Sequence, residues 1–98
     1  MAINAQQKKF LRAKAHHLNI TVSIGNKGLT AEVVNETKVA LGAHELIKIR
    51  LPQDEKAAKA ELLKNLCQQT SANNVQLIGR TGVIYTPANP PVIVLPKK

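Results

Sequence analysis

The chain has 98 residues, a length that suits one domain with one buried core and leaves no room for a second. Fourteen Lys and Arg against six Asp and Glu give a formal charge of +8, the upper edge of the ~2–8 that solubility alone asks of a small domain. No apolar run nears the roughly 18 residues that span a bilayer, and Cys67, the only cysteine, excludes an internal disulfide.

The beginning of the chain, Met-Ala-Ile-Asn-Ala-Gln-Gln-Lys-Lys, lacks the apolar centre of a signal peptide, so a cytoplasmic location is expected. No acid occurs before Glu32, yet Lys8, Lys9, Arg12, Lys14 and Lys27 do. A positive N-terminal third points to a polyanionic partner, either nucleic acid or an acidic membrane surface. Residues 5–17 are free of Gly and Pro and read as a helix. Leu11, Ala15 and Leu18, flanked by Phe10, make a narrow apolar stripe on it, and Lys8, Lys9 and Arg12 can share one basic side. So thin an apolar face argues against a membrane-surface helix.

His16 and His17 are neighbours and point about 100° apart on a helix, so they cannot chelate one ion together. His44 has no ligand cluster around it, and no metal site is expected. His16 reads as a packing or capping residue near the helix end.

Residues 20–24 alternate Ile20, Val22 and Ile24 with Thr21 and Ser23, which predicts a strand. Gly25-Asn26-Lys27-Gly28-Leu29-Thr30 follows, and a helix is expected from Thr30 to Leu41 with Gly42 just beyond its end. A glycine loop leading into a helix can hold a phosphate. Gly lets backbone approach closely and tolerates positive φ. The first helical N–H groups are unpaired and carry the positive end of the dipole. Thr30 is the candidate N-cap, and Lys27 adds a full charge where an anion would sit. The same six residues also suit a plain turn that starts a helix.

Residues 45–51 alternate as a strand, with Ile47, Ile49 and Leu51 on one face and Glu45, Lys48 and Arg50 on the other; Leu46 is out of step. Pro52 stops it, and residues 55–70 read as a helix with Ala58, Leu62, Leu63 and Leu66 buried. Cys67 borders that stripe as a small hydrophobe, with no base in sight to make it a nucleophile. After the polar residues 71–74, Val75–Ile78 and Val83–Tyr85 form two strands joined through Gly79-Arg80-Thr81-Gly82. This second Gly-x-x-Gly precedes a strand and reads as a hairpin turn, from which Arg80 could reach a phosphate. Pro87, Pro90, Pro91 and Pro96 make an extended tail from about residue 87, closed by Lys97-Lys98.

The order α-β-α-β-α-β-β predicts an α/β fold: a four-stranded mixed sheet with packed helices. Its two β-α-β steps should give parallel neighbours, and the final hairpin an antiparallel pair. No catalytic pair and no cofactor motif is visible, so an enzyme is not expected.

Four motifs in this order carry a resemblance: Gln7-Lys8-Lys9-x-Leu11-Arg12-x-x-Ala15-His16, Ile24-Gly25-x-x-Gly28-Leu29-Thr30, His44-Glu45-Leu46-Ile47-Lys48-Ile49, and Asn74-Val75-Gln76-x-Ile78-Gly79-Arg80 with Tyr85. The chain resembles the CRM domain (chloroplast RNA splicing and ribosome maturation) over residues 6–96, and is similar to its stand-alone bacterial, YhbY-like form. The resemblance implies one domain over residues 1–98, with a fold like the C-terminal domain of translation initiation factor 3. It implies RNA binding, with association to precursors of the large ribosomal subunit. The Gly-x-x-Gly loop would be the RNA-contact element, reminiscent of KH domains. Those roles fall on Gly25, Asn26, Lys27 and Gly28, with Thr30 at the helix start. Lys8, Lys9, Arg12 and Lys14 would extend a basic track, and Lys48, Arg50 and Arg80 are further candidates.

The chain departs from the family pattern at Asn19-Ile20, where Pro often leads into the strand, and at Thr86, where Arg often follows the Tyr. The second departure puts a basic contact from that strand in doubt. With Phe10 and Tyr85 the only aromatics, shape and backbone recognition of rRNA by a monomer is expected rather than base stacking. Ribosomal proteins are the other partners considered. A general RNA chaperone and a protein-interaction adaptor on the ribosome are the alternative functions.

Overall fold

The computed structural model describes residues 3–97; Met1, Ala2 and the closing Lys98 lie outside the described residues. Seven elements follow in order: α1 (Ala5–Ala15), β1 (Ile20–Ser23), α2 (Ala31–His44), β2 (Leu46–Arg50), α3 (Lys56–Thr70), β3 (Asn73–Ile78) and β4 (Thr81–Tyr85). The strands form one mixed sheet in the order β1-β2-β4-β3. β1 runs parallel to β2, while β4 is antiparallel to both β2 and β3. The α/β order read from the sequence is the one found. The pairing differs at one point: β4 lies between β2 and β3, so the second crossover does not produce parallel neighbours. The hairpin strand fills that place instead and leaves β3 at the edge.

The sheet separates two cores. On one face α2 and α3 bury Val34, Leu41, Leu63 and Leu66 against Val22, Ile49 and Ile84. On the other, Leu11 and Ala15 of α1 pack on Leu46, Val75, Val83 and Tyr85, and Ile93 and Leu95 of the tail join them. The single core expected from length is therefore divided by the sheet, and Leu46 falls out of step because it serves the second half. The tail is a wall of that half. Gln7 of α1 also donates its side-chain amide to the Pro96 carbonyl at 2.9 Å.

Local chemistry sets the ends of the helices. Asn4 and Gln7 form a reciprocal capping box at the start of α1. Thr30 caps α2 by accepting the Val33 N–H. The end of α2 lies three residues beyond the expected Leu41, since Gly42 stays helical and the positive φ falls on Glu45 (φ 65°). Glu45 takes this conformation because it is pinned at both ends. Its carbonyl accepts the Thr86 N–H at 2.9 Å. Its carboxylate accepts the backbone N–H groups of Ala88, Val92 and Ile93. Glu45 is only 2% exposed, so it is not on the open strand face that alternation assigned to it.

In α3 the buried residues are Leu63, Leu66, Cys67 and Thr70; Ala58 is exposed, since half-buried Lys59 holds the place one turn before Leu63. Gly82 belongs to β4 rather than to the turn, and a Cβ there would meet Leu63 Cδ1 at 2.8 Å. Burial pushes the Cys67 thiol up to about 11, which keeps it a protonated packing group.

Candidate nucleic-acid interface

The loop from Gly25 to Gly28 leaves the sheet where β1 ends. The Ile24 N–H still bonds the Arg50 carbonyl at 2.8 Å, and the chain then turns, with the Gly28 N–H on the Gly25 carbonyl at 3.0 Å. Gly28 has φ +73°, which glycine adopts without a Cβ penalty. Nothing lies within 4 Å of a Cβ placed on either Gly25 or Gly28, so the loop faces open space. Gly25, Asn26 and Lys27 are exposed. Thr30, the N-cap, sits two residues beyond, and the loop and first turn of α2 line a hollow of about 290 Å³. The loop glycines, Lys27 and the α2 N-terminus thus come together as an anion site requires. Glu32 lines the same hollow. Its charge favours the helix dipole but opposes a phosphate.

Arg50 lies beside the base of this loop, and Arg80 lies at the same end of the sheet, beyond β2. Arg50 is exposed at the end of β2, paired across the sheet with Ser23 on one side and Thr81 on the other. Arg80 is exposed in the β3–β4 turn and donates from Nε to the Leu51 carbonyl at 3.1 Å, while Leu51 N–H bonds the Arg80 carbonyl at 2.7 Å. Arg80 is therefore partly committed to holding the hairpin.

The basic residues of α1 do not make one track. Arg12 lies over the middle of the sheet with Lys48, in a cleft that also includes His16, Gln76 and Thr81. Lys14 is on the other flank, beside Thr21, His44 and Ile93, with its ammonium 5.7 Å from the centroid of the Phe10 ring. Lys8 precedes Arg12 by one turn and is half-buried; Lys9 is exposed. His16 is the C-cap of α1, its backbone N–H reaching the Ala13 and Lys14 carbonyls. Among the described residues no group of three or more His, Cys, Asp or Glu is placed to hold a metal ion.

Neither aromatic ring offers a platform. Tyr85 is 1% exposed in the core, and Phe10 is half-buried against the second core. Burial and the nearby charge of Glu45 both raise the Tyr85 hydroxyl above its ordinary range. Thr86 is half-buried, and its hydroxyl donates to the Ser71 carbonyl at 3.2 Å, a use in the fold that a long basic side chain would not share. Three lining residues of the Arg12–Lys48 cleft, His16, Gln76 and Thr81, were not among the contact residues expected from the sequence. A strand bulge, which alternation cannot register, aims Gln76 there.

A small mixed sheet with an exposed glycine loop at a helix N-terminus and basic residues around it has the features that an anion-binding surface needs. Residues 3–86 match the family model described as the CRS1 / YhbY (CRM) domain, and the chain belongs to that family. A Haemophilus influenzae relative named "RNA-binding protein" is 38% identical over 96 residues, covering 98% of this chain and 97% of the relative. A Bacillus subtilis relative named "Probable RNA-binding protein" is 35% identical over 83 residues, 85% of this chain and 86% of its own length. The solution structure of a hypothetical protein from Staphylococcus aureus is similar with a TM-score of 0.85 and 32% identity, covering 98% of this chain and all of that one. Among the described residues no helix is long and apolar enough to cross a membrane.

Proposed function

We propose that this chain is an RNA-binding protein that works in ribosome assembly, associated with precursors of the large subunit, and that it grips rRNA backbone through the Gly25–Gly28 loop and the basic surface near it. The observation that carries the reading is the loop itself: exposed backbone with Gly28 at φ +73°, Lys27 at its tip and the capped start of α2 behind it. N–H groups at the head of a helix bind phosphate without needing to know the base. Lys27 supplies charge, Arg50 stands beside the loop base for a neighbouring phosphate, and Arg80 lies further along the same end of the sheet. The family and the names of the relatives favour RNA as the polyanion. Buried Tyr85 and half-buried Phe10 favour backbone and shape recognition over stacking. The protein acts by binding, without catalysis, metal or cofactor, as a cytoplasmic monomer.

Sedimentation of a cell extract through a sucrose gradient tests the assembly role. Co-migration with free large subunits or their precursors, lost as salt is raised, is the expected result. A position at the top of the gradient at every salt would remove the assembly role and favour a chaperone acting on many RNAs. Association that survives nuclease and high salt would favour a protein adaptor.

A further inference from the structure

The cleft on the α1 face of the sheet is separate from the glycine loop and has its own chemistry. It measures about 190 Å³, below the ~300–1,000 Å³ of ordinary small-molecule sites. Ala15 and Val83 close its bottom but are 1% and 2% exposed, so the apolar surface it offers a ligand is that of Ile78. Arg12 and His16, one turn apart on α1, form one wall, and Lys48 and Gln76 flank Val83 from the neighbouring strands. No carboxylate lines it. Ile78 stands at its edge, 63% exposed.

The position of Gln76 is a built feature. Successive strand residues face opposite ways, yet Val75 is in the core beneath α1 and Gln76 lines the cleft on the same side. The register shift between Asn74 and Gln76 makes this possible. Such a bulge re-aims a side chain. Here it aims an amide, a donor and an acceptor together, into a space with an apolar edge at Ile78 and cationic walls. A phosphate alone would use the cations and the amide N–H but neither the amide oxygen nor Ile78. An apolar ligand would use Ile78 but not the cations. A nucleotide uses all three, and a base can enter only when it is unpaired and turned out of its helix.

We propose that this cleft holds one unpaired, extruded RNA nucleotide, its base against Ile78 beside Gln76 and its phosphate between Arg12 and Lys48. The proposal rests on the RNA-binding reading and adds a feature of the RNA: a bulge or loop nucleotide near the backbone gripped by the glycine loop.

The test compares two fluorescent RNA hairpins, one fully paired and one with a single bulged adenosine, by anisotropy titration. The wild-type protein is expected to bind the bulged hairpin about tenfold more tightly, the scale of one good amide–base contact. Gln76→Leu is expected to remove that preference while leaving affinity for the paired hairpin unchanged, and Lys48→Ala to weaken the bulged hairpin more than the paired one. Gln76 is half-buried on an edge strand, so Gln76→Leu should fold, and Gln76→Glu, similar in shape but charged, gives a second variant that should disfavour the bulged RNA. Equal wild-type affinity for the two hairpins, or a bulge preference that survives Gln76→Leu and Gln76→Glu, would overturn the proposal. A Gly28→Asp variant run alongside separates the two readings. If it weakens both hairpins while the wild type treats them alike, the loop reading stands and the cleft proposal falls.

Discussion

The carboxylate of Glu45 accepts the backbone N–H of Ile93 at 2.8 Å, joining residues 48 positions apart in sequence. With the N–H groups of Ala88 and Val92 on the same carboxylate, it folds the tail back over the α1 face. Burial pushes this carboxyl up, but the N–H groups of Ala88, Ile93 and Val92 outweigh it and hold the group below its ordinary range.

A group with a lowered folded pKa adds stability above its unfolded pKa and loses it as pH falls through the folded value. The Glu45 contribution should therefore be complete at neutral pH and fade in acid, below the ordinary carboxylate range. Glu45→Ala should cost about 2–3 kcal/mol at pH 7, since it strands donors that had a charged partner. Urea melts at pH 7 and in acid should show the gap between wild type and Glu45→Ala narrowing as pH falls. A constant gap would contradict the assignment.

Gly82→Ala should destabilise the fold without touching the loop. The new Cβ would meet Leu63, which is fully buried and has little space to retreat. Overpacking of this kind costs about 1–3 kcal/mol. Thermal melting should show the loss, with RNA affinity below the melting range unchanged.

Glu32→Gln should tighten RNA binding, because the acid lines the same hollow as the loop glycines. It should also weaken the start of α2 by roughly 0.3–1 kcal/mol as the dipole loses its counter-charge. Titration and melting on the same variant would read both signs. Unchanged affinity would place the phosphate away from this hollow.

Lys27→Ala should lower the slope of log affinity against log salt by about 0.7, the value for one phosphate contact on a single strand. A salt series from low to moderate concentration measures it. An unchanged slope would mean that Lys27 points away from bound RNA.

The element order was legible because each element carried its own period and punctuation. Val33, Val34, Thr37, Ala40 and Leu41 mark α2, and Ile47 and Ile49 mark β2. What escaped was set by contacts distant in sequence. Alternation made Glu45 a strand residue, and only the tail amides, more than 40 positions later, explain its burial and positive φ. The bulges in β1 and β3 leave no mark on composition, so the facing of Gln76 was hidden. The insertion of β4 between β2 and β3 follows from hairpin pairing, which competes with the crossover rule. At the candidate interface the turn and N-cap were legible from Gly25, Gly28 and Thr30, while the same residues also suit a plain turn that starts a helix. The division of the α1 cations between Arg12 and Lys14 depended on how the helix lies on the sheet.

The most direct measurement is RNA affinity of Gly28→Asp against Gly28→Asn, with folding checked by circular dichroism. Both side chains tolerate positive φ better than most, and both enter the same open space, so the pair differs in one negative charge. Both proteins should fold, with Gly28→Asp binding rRNA fragments at least several-fold more weakly than Gly28→Asn. Equal affinity in the two, matching wild type, would contradict the claim that this loop meets the RNA backbone.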